Sequence, residues 1–140
     1  MPPTHNAPFF NSSHLIVIIG EADPFLARLL QRFAEKCGFR TLHAQTGETL
    51  LELIVQVHPA LVILDPELPG KLRGWETYQQ IRTNNQLCAT PVILCTWLNK
   101  DEAQGLVGKP APYLKKPDLH FEDFVGLLDA AGVRILSEDT

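Results

Sequence analysis

The stretch His58-Pro-Ala-Leu-Val-Ile-Leu-Asp65-Pro-Glu-Leu-Pro-Gly70 decides the fold. Its centre, Leu61 to Asp65, is an unbroken apolar run that ends on a carboxylate. A strand with one wet face alternates apolar and polar residues, whereas a continuous run belongs to a strand covered on both faces. Pro59 in front, and Pro66, Pro69 and Gly70 behind, break regular structure and keep this strand short. The aspartate therefore stands at the carboxyl end of a buried strand, where a loop begins.

Working outward, the same pattern recurs. Leu15 to Gly20 (LIVIIG) and Pro91 to Thr96 (PVILCT) are equally apolar, and Pro112 to Lys115 (PYLK) makes a shorter fifth strand. Phe39 to Ala44 (FRTLHA) is more polar, as suits a strand nearer an edge. Between the strands the apolar period changes to that of a helix. Leu26, Leu29, Leu30, Phe33 and Cys37 recur behind an Asp23-Pro24 start and before a Gly38 stop. Leu50, Leu51, Ile54 and Val57 follow Thr46; Trp75, Tyr78 and Ile81 follow Gly74. A short helix is expected from Lys100 to Val107, and a last one, capped by Asp118, through Phe121, Phe124, Val125 and Leu128 to Gly132. Strands buried on both faces that alternate with helices demand a parallel sheet covered on both sides.

In 140 residues there is room for one such domain. Residues 1–13 lack periodicity and are expected as a disordered tail, 14–133 as the domain, and 134–140 as a C-terminal tail. A formal net charge of -4, with scattered Lys and Arg, argues against direct nucleic-acid binding. The N-terminus has no secretory pattern, and no apolar stretch approaches the roughly 20 residues that cross a bilayer. The expected location is the cytoplasm, with Cys37, Cys88 and Cys95 reduced and filling small buried spaces. The five histidines show no metal-ligand spacing.

Ligands of open parallel sheets bind outside the carboxyl ends of the strands. The residues delivered there are Glu21 and Asp23 after the first strand, Asp65 to Glu67 after the third, Thr96 after the fourth and Lys116 after the fifth. Converging carboxylates repel unless a cation intervenes, and Mg²⁺ suits carboxylate, carbonyl and water ligands. A lysine about 4 Å from Asp65, at an effective dielectric near 20, is worth roughly 4 kcal/mol before desolvation. A carboxylate nucleophile, a divalent cation, a lysine and the Thr96 hydroxyl together suit phosphoryl transfer.

From about Leu15 to Gly132 the chain resembles the response-regulator receiver family. GEADP looks like its acidic cluster, HPALVILDPELPG its acceptor segment, TPVILCT its fourth strand with a hydroxyl residue, and PYLKKP its fifth with the aromatic and Lys-Pro pair. The resemblance implies a flavodoxin-like (βα)5 three-layer sandwich with strand order 2-1-3-4-5. It implies that Asp65 accepts a phosphoryl group from a histidine kinase or phosphotransfer protein. Thr96 and Lys116 would hold the phosphoryl oxygens, Tyr113 would be the switch aromatic, and Pro117 would follow a cis peptide. Mg²⁺ would be bound by Glu21, Asp65 and Glu67, the last through its backbone carbonyl or its side chain. The output would pass through contacts with a downstream protein or a homodimer, with no enzyme activity and no membrane.

Several residues depart from that family pattern. Ala22 stands where the second acid of the pair belongs, so Mg²⁺ binding should be weak. Asp23, one place later, suits a helix cap better than a ligand. Trp97 puts an indole where a small residue normally leaves the site open, the GKLR loop before Gly74 is one residue longer than usual, and Gly105, Gly108 and Pro110 curtail the fourth helix. These features favour a second reading, a pseudo-receiver that docks proteins without phosphorylation. A flavin or nucleotide enzyme on the same topology is disfavoured, because no glycine-rich phosphate loop follows the first strand.

Overall fold

The computed structural model describes residues 15–134; the expected N-terminal tail at 1–13, and all but the first residue of the expected C-terminal tail at 134–140, lie outside them. Five strands, β1 (Ile16–Gly20), β2 (Arg40–Ala44), β3 (Leu61–Leu64), β4 (Val92–Thr96) and β5 (Tyr113–Lys115), alternate with five helices. The helices are α1 (Pro24–Lys36), α2 (Gly47–Val57), α3 (Gly74–Thr83), α4 (Lys100–Val107) and α5 (Phe121–Ala130). The strands form one parallel sheet in the order β2-β1-β3-β4-β5. The flavodoxin-like architecture expected from the sequence is the one observed.

The apolar runs explain the layering. Every residue of β3 and β4 is buried, as strands with helices on both faces must be. Odd positions such as Val17, Ile19, Leu61 and Ile63 pack with Leu30, Phe33, Phe124 and Leu128 under α1 and α5. Their alternates, Ile18, Val62, Leu64 and Leu94, pack with Leu50, Ile54, Tyr78 and Val107 under α2, α3 and α4. β2, the more polar strand, takes the edge.

Local signals act as their chemistry dictates. The Asp23 side chain accepts from the Phe25 and Leu26 backbone N–H groups and caps α1, while Thr46 caps α2 through Thr49 N–H. Gly108, at φ +91°, stops α4 at Val107. Two expectations need correction. Asp118 does not cap the last helix: α5 begins at Phe121 behind His120, because the chain first drops Leu119 into the core beneath α1 and α5. Cys37 and Cys95 are buried small hydrophobes, but Cys88, in the turn after α3, is exposed. No helix among the described residues is long and apolar enough to cross a membrane.

Candidate functional site

Parallel pairing brings the carboxyl ends of β1 and β3 level, with Gly20 opposite Leu64. The next residue on each strand is an acid, Glu21 and Asp65, and both are buried. Asp65 is held by its own backbone: its N–H donates to the Gly20 carbonyl at 3.0 Å and its carbonyl accepts from Leu68 N–H at 2.9 Å. Its side-chain Oδ1 accepts from the Glu67 N–H at 2.8 Å.

The loop carrying Asp65 is pressed against the start of α3. Trp75 N–H donates to the Pro66 carbonyl at 2.8 Å, and Gly74 N–H to the Leu68 carbonyl at 2.9 Å. A Cβ on Gly74 would lie 2.1 Å from the Asp65 carbonyl oxygen, so only glycine permits this approach. The lengthened GKLR segment is tied to α2, whose Glu48 accepts from Leu72 N–H at 3.3 Å.

Lys116 enters from the turn after β5. Its backbone N–H donates to the Thr96 carbonyl at 2.8 Å, and the Lys116-Pro117 peptide is cis, as expected. The ammonium lies 2.7 Å from Asp65 Oδ2 and 2.6 Å from Glu21 Oε1, with the lysine 1% exposed. Burial alone would lower the Lys116 pKa, but the hydrogen bond to Asp65 and the attraction of Asp65 and Glu21 outweigh it and raise the value. The Lys116–Glu21 approach lies outside hydrogen-bond geometry, which leaves buried Glu21 Oε1 with a charge beside it but no donated hydrogen bond. The other oxygen, Oε2, accepts from Asp23 N–H at 2.9 Å.

Thr96 ends β4, fully buried, and pairs in register with Lys115. Its hydroxyl accepts from Leu98 N–H at 3.0 Å, which leaves the hydroxyl proton to donate. The Tyr113 hydroxyl donates to the carbonyl of the same Leu98. The two residues expected as a switch pair are therefore joined through the backbone of one residue, Leu98, a bridge that the sequence alone did not reveal. Trp97, between them in the chain, is 53% exposed and turns largely to solvent.

Two buried carboxylates, one with an oxygen lacking a hydrogen bond, give hard oxygen ligands of the kind Mg²⁺ uses with several waters. Ala22 offers no side-chain ligand, Asp23 is spent on its helix, and the Glu67 residue is exposed. Among the described residues, no three His, Cys, Asp or Glu side chains gather as a metal cluster. The two buried carboxylates fit a hard divalent ion such as Mg²⁺.

The chain resembles known proteins in sequence and in fold. The model of the response regulator receiver domain matches residues 17–120. The DNA-binding dual master transcriptional regulator RpaA of Synechocystis is 31% identical over 103 residues, covering 72% of this chain but only 42% of that protein's length. The polar-differentiation response regulator DivK of Brucella ovis is 28% identical, covering 72% of this chain and 83% of DivK. Among solved structures, the receiver domain of a sensor histidine kinase from Pseudomonas aeruginosa, described with magnesium coordinated in its active-site cleft, superimposes with a TM-score of 0.73. It covers 85% of this chain and 98% of its own at 20% identity, a likeness of fold. Since the matched region runs from β1 through the turn that delivers Lys116, this chain belongs to the response regulator receiver domains of two-component signalling.

Proposed function

We propose that Asp65 is the phosphoryl acceptor of this receiver domain, served by Thr96 and Lys116 and read out through Tyr113. One observation carries the reading: a buried ammonium, 2.7 Å from Asp65, delivered by a strand remote in sequence. A buried cation at that place neutralises charge that builds on transferring oxygens. The donor is a phosphohistidine of a histidine kinase or phosphotransfer protein. An Asp65 oxygen attacks phosphorus, the P–N bond breaks, and the imidazole leaves with a proton. The product acyl phosphate carries roughly -1.5 to -2 charge. Lys116 pairs with its oxygens, and the Thr96 hydroxyl donates to one of them. The Thr96–Leu98–Tyr113 connection then biases the surface around α4, β5 and α5.

Mg²⁺ would be held by Glu21 and Asp65 with the Glu67 carbonyl, and would supply charge neutralisation. With Ala22 in the acid position its affinity is low. That same feature supports the second reading, a docking module that binds its protein target without phosphotransfer. Incubation with acetyl phosphate and Mg²⁺, followed on a phosphate-affinity gel, separates the two. A retarded band that vanishes in Asp65→Asn is the expected result; its absence in the unmodified chain would leave the docking module.

A further inference from the structure

We infer that His43 is a positioning residue: its imidazole fixes the backbone of Glu21, and through Glu21 the ammonium that faces Asp65. The inference rests on the acceptor-site reading above and adds a residue to it.

The β1–β2 ladder pairs Ile19 with His43 and Gly20 with Ala44, and β1 ends there. Glu21 is the first residue past the strand. Its N–H still donates to the Ala44 carbonyl, at 3.1 Å. Its own carbonyl, beyond the end of β2, has no ladder partner and instead meets the His43 ring, 2.7 Å from Nε2. A carbonyl oxygen only accepts, so Nε2 carries the hydrogen and donates. The Nε2–H tautomer and the imidazolium both meet that requirement.

The ring therefore extends the sheet by one peptide, with a side chain in place of a strand. Both backbone groups of Glu21 become tied to β2, which sets the direction of the carboxylate. Of that carboxylate, Oε2 accepts from Asp23 N–H and Oε1 stands 2.6 Å from Lys116 Nζ. Rotation of the Glu21–Ala22 peptide would displace the Asp23 N–H that holds Oε2 and so free the carboxylate from its place beside the ammonium. With no acid at position 22, Glu21 is the one side chain from this loop that reaches Lys116 among the described contacts. An exposed histidine on an edge strand is ordinarily a solvated side chain. The short, directed contact to the loop carrying Glu21 argues for a defined role here.

His43→Ala and His43→Gln in the full chain test this, since glutamine can place an N–H donor where Nε2 stands. Two readouts are followed: the ¹⁵N resonance of the Lys116 ammonium, and affinity for beryllofluoride with Mg²⁺ from Trp97 fluorescence. His43→Ala should shift or broaden the ammonium resonance and weaken beryllofluoride binding by about 3- to 10-fold, the worth of one net hydrogen bond. His43→Gln should restore both to within about twofold. An unchanged Lys116 resonance in folded His43→Ala, or equal losses in the two variants, would overturn the inference. Failure of the unmodified chain to take up beryllofluoride would count against the acceptor reading alone, because the Lys116 resonance decides the role of His43 without it.

Discussion

Lys116 and Asp65 lie 51 positions apart in the chain and 2.7 Å apart in space, Nζ to Oδ2, and both are buried. Isolated, each charge would cost several kcal/mol to bring out of water. Together with Glu21 they form a triad of net charge -1, held at the carboxyl end of the sheet by backbone hydrogen bonds on every side. Such a pair adds little net stability over an apolar substitute, yet losing one member strands the others.

Lys116→Met should therefore be strongly destabilising. It leaves Glu21 and Asp65 buried and facing one another, at an expected cost of about 3–5 kcal/mol in urea unfolding. Adding Asp65→Asn should recover part of that loss, because one stranded charge disappears. A cost below about 1 kcal/mol would mean that water screens the site as it does a surface pair.

Alkaline pH should weaken the fold. Burial pushes the Cys95 thiol from 9.0 up to about 12, opposed by Lys116 and reinforced by Glu21 and Asp65. A folded value above the unfolded one means the native state holds its proton more tightly. That stability is complete below pH 9 and is lost as pH climbs toward 12, by about 4 kcal/mol over the whole span. Lys116 and Tyr113 are also raised and act in the same direction. Urea midpoints measured from pH 8 to 11 should fall, with a flatter slope in Cys95→Ala. At pH 8 iodoacetamide should label exposed Cys88 well before Cys37 or Cys95, read by mass spectrometry.

Two glycine substitutions should move stability in opposite directions. At Gly74 a methyl group would meet the Asp65 carbonyl at 2.1 Å, so Gly74→Ala should cost about 1–3 kcal/mol or more and disturb the acceptor loop. At Gly126, inside α5, a Cβ meets nothing within 4 Å. Gly126→Ala should stabilise by about 0.5–1 kcal/mol through helix propensity. Thermal melting of the two variants beside the parent chain checks both.

Restoring an acid at position 22 should restore the ion. Ala22 is exposed on the loop that carries Glu21, so Ala22→Asp is accommodated and should tighten Mg²⁺ binding by about 10-fold or more. Trp97 fluorescence during Mg²⁺ titration reports it. Equal affinities would show that Glu67 or water already supplies what the family's second acid provides.

The strand and helix order was legible because burial leaves a period in the residues. LVIL, IVIIG and VILC before Thr96 carry no polar side chain but the cysteine thiol and became the strands of the sheet's interior, while RTLHA, with its polar positions, became an edge. Asp23 as a cap and Gly108 as a stop were readable for the same reason: each acts on its immediate neighbours. Asp118 misled, because a capping residue is recognised locally while the start of α5 is set by where Leu119 must be buried.

The composition and periodicity of this chain thus determined its alternation of buried strands and helices, and the family resemblance implied the strand order that brings these loops to one end of the sheet. Tertiary structure alone decided that Lys116 is shared between Asp65 and Glu21, that Thr96 and Tyr113 both engage the Leu98 backbone, and that His43 holds the carbonyl of Glu21. Hydrophobic burial is non-directional and sums over many residues, so it writes a pattern along the chain. Hydrogen bonds and ion pairs between distant segments depend on strand register and on ångström-scale direction, which no single residue's identity encodes.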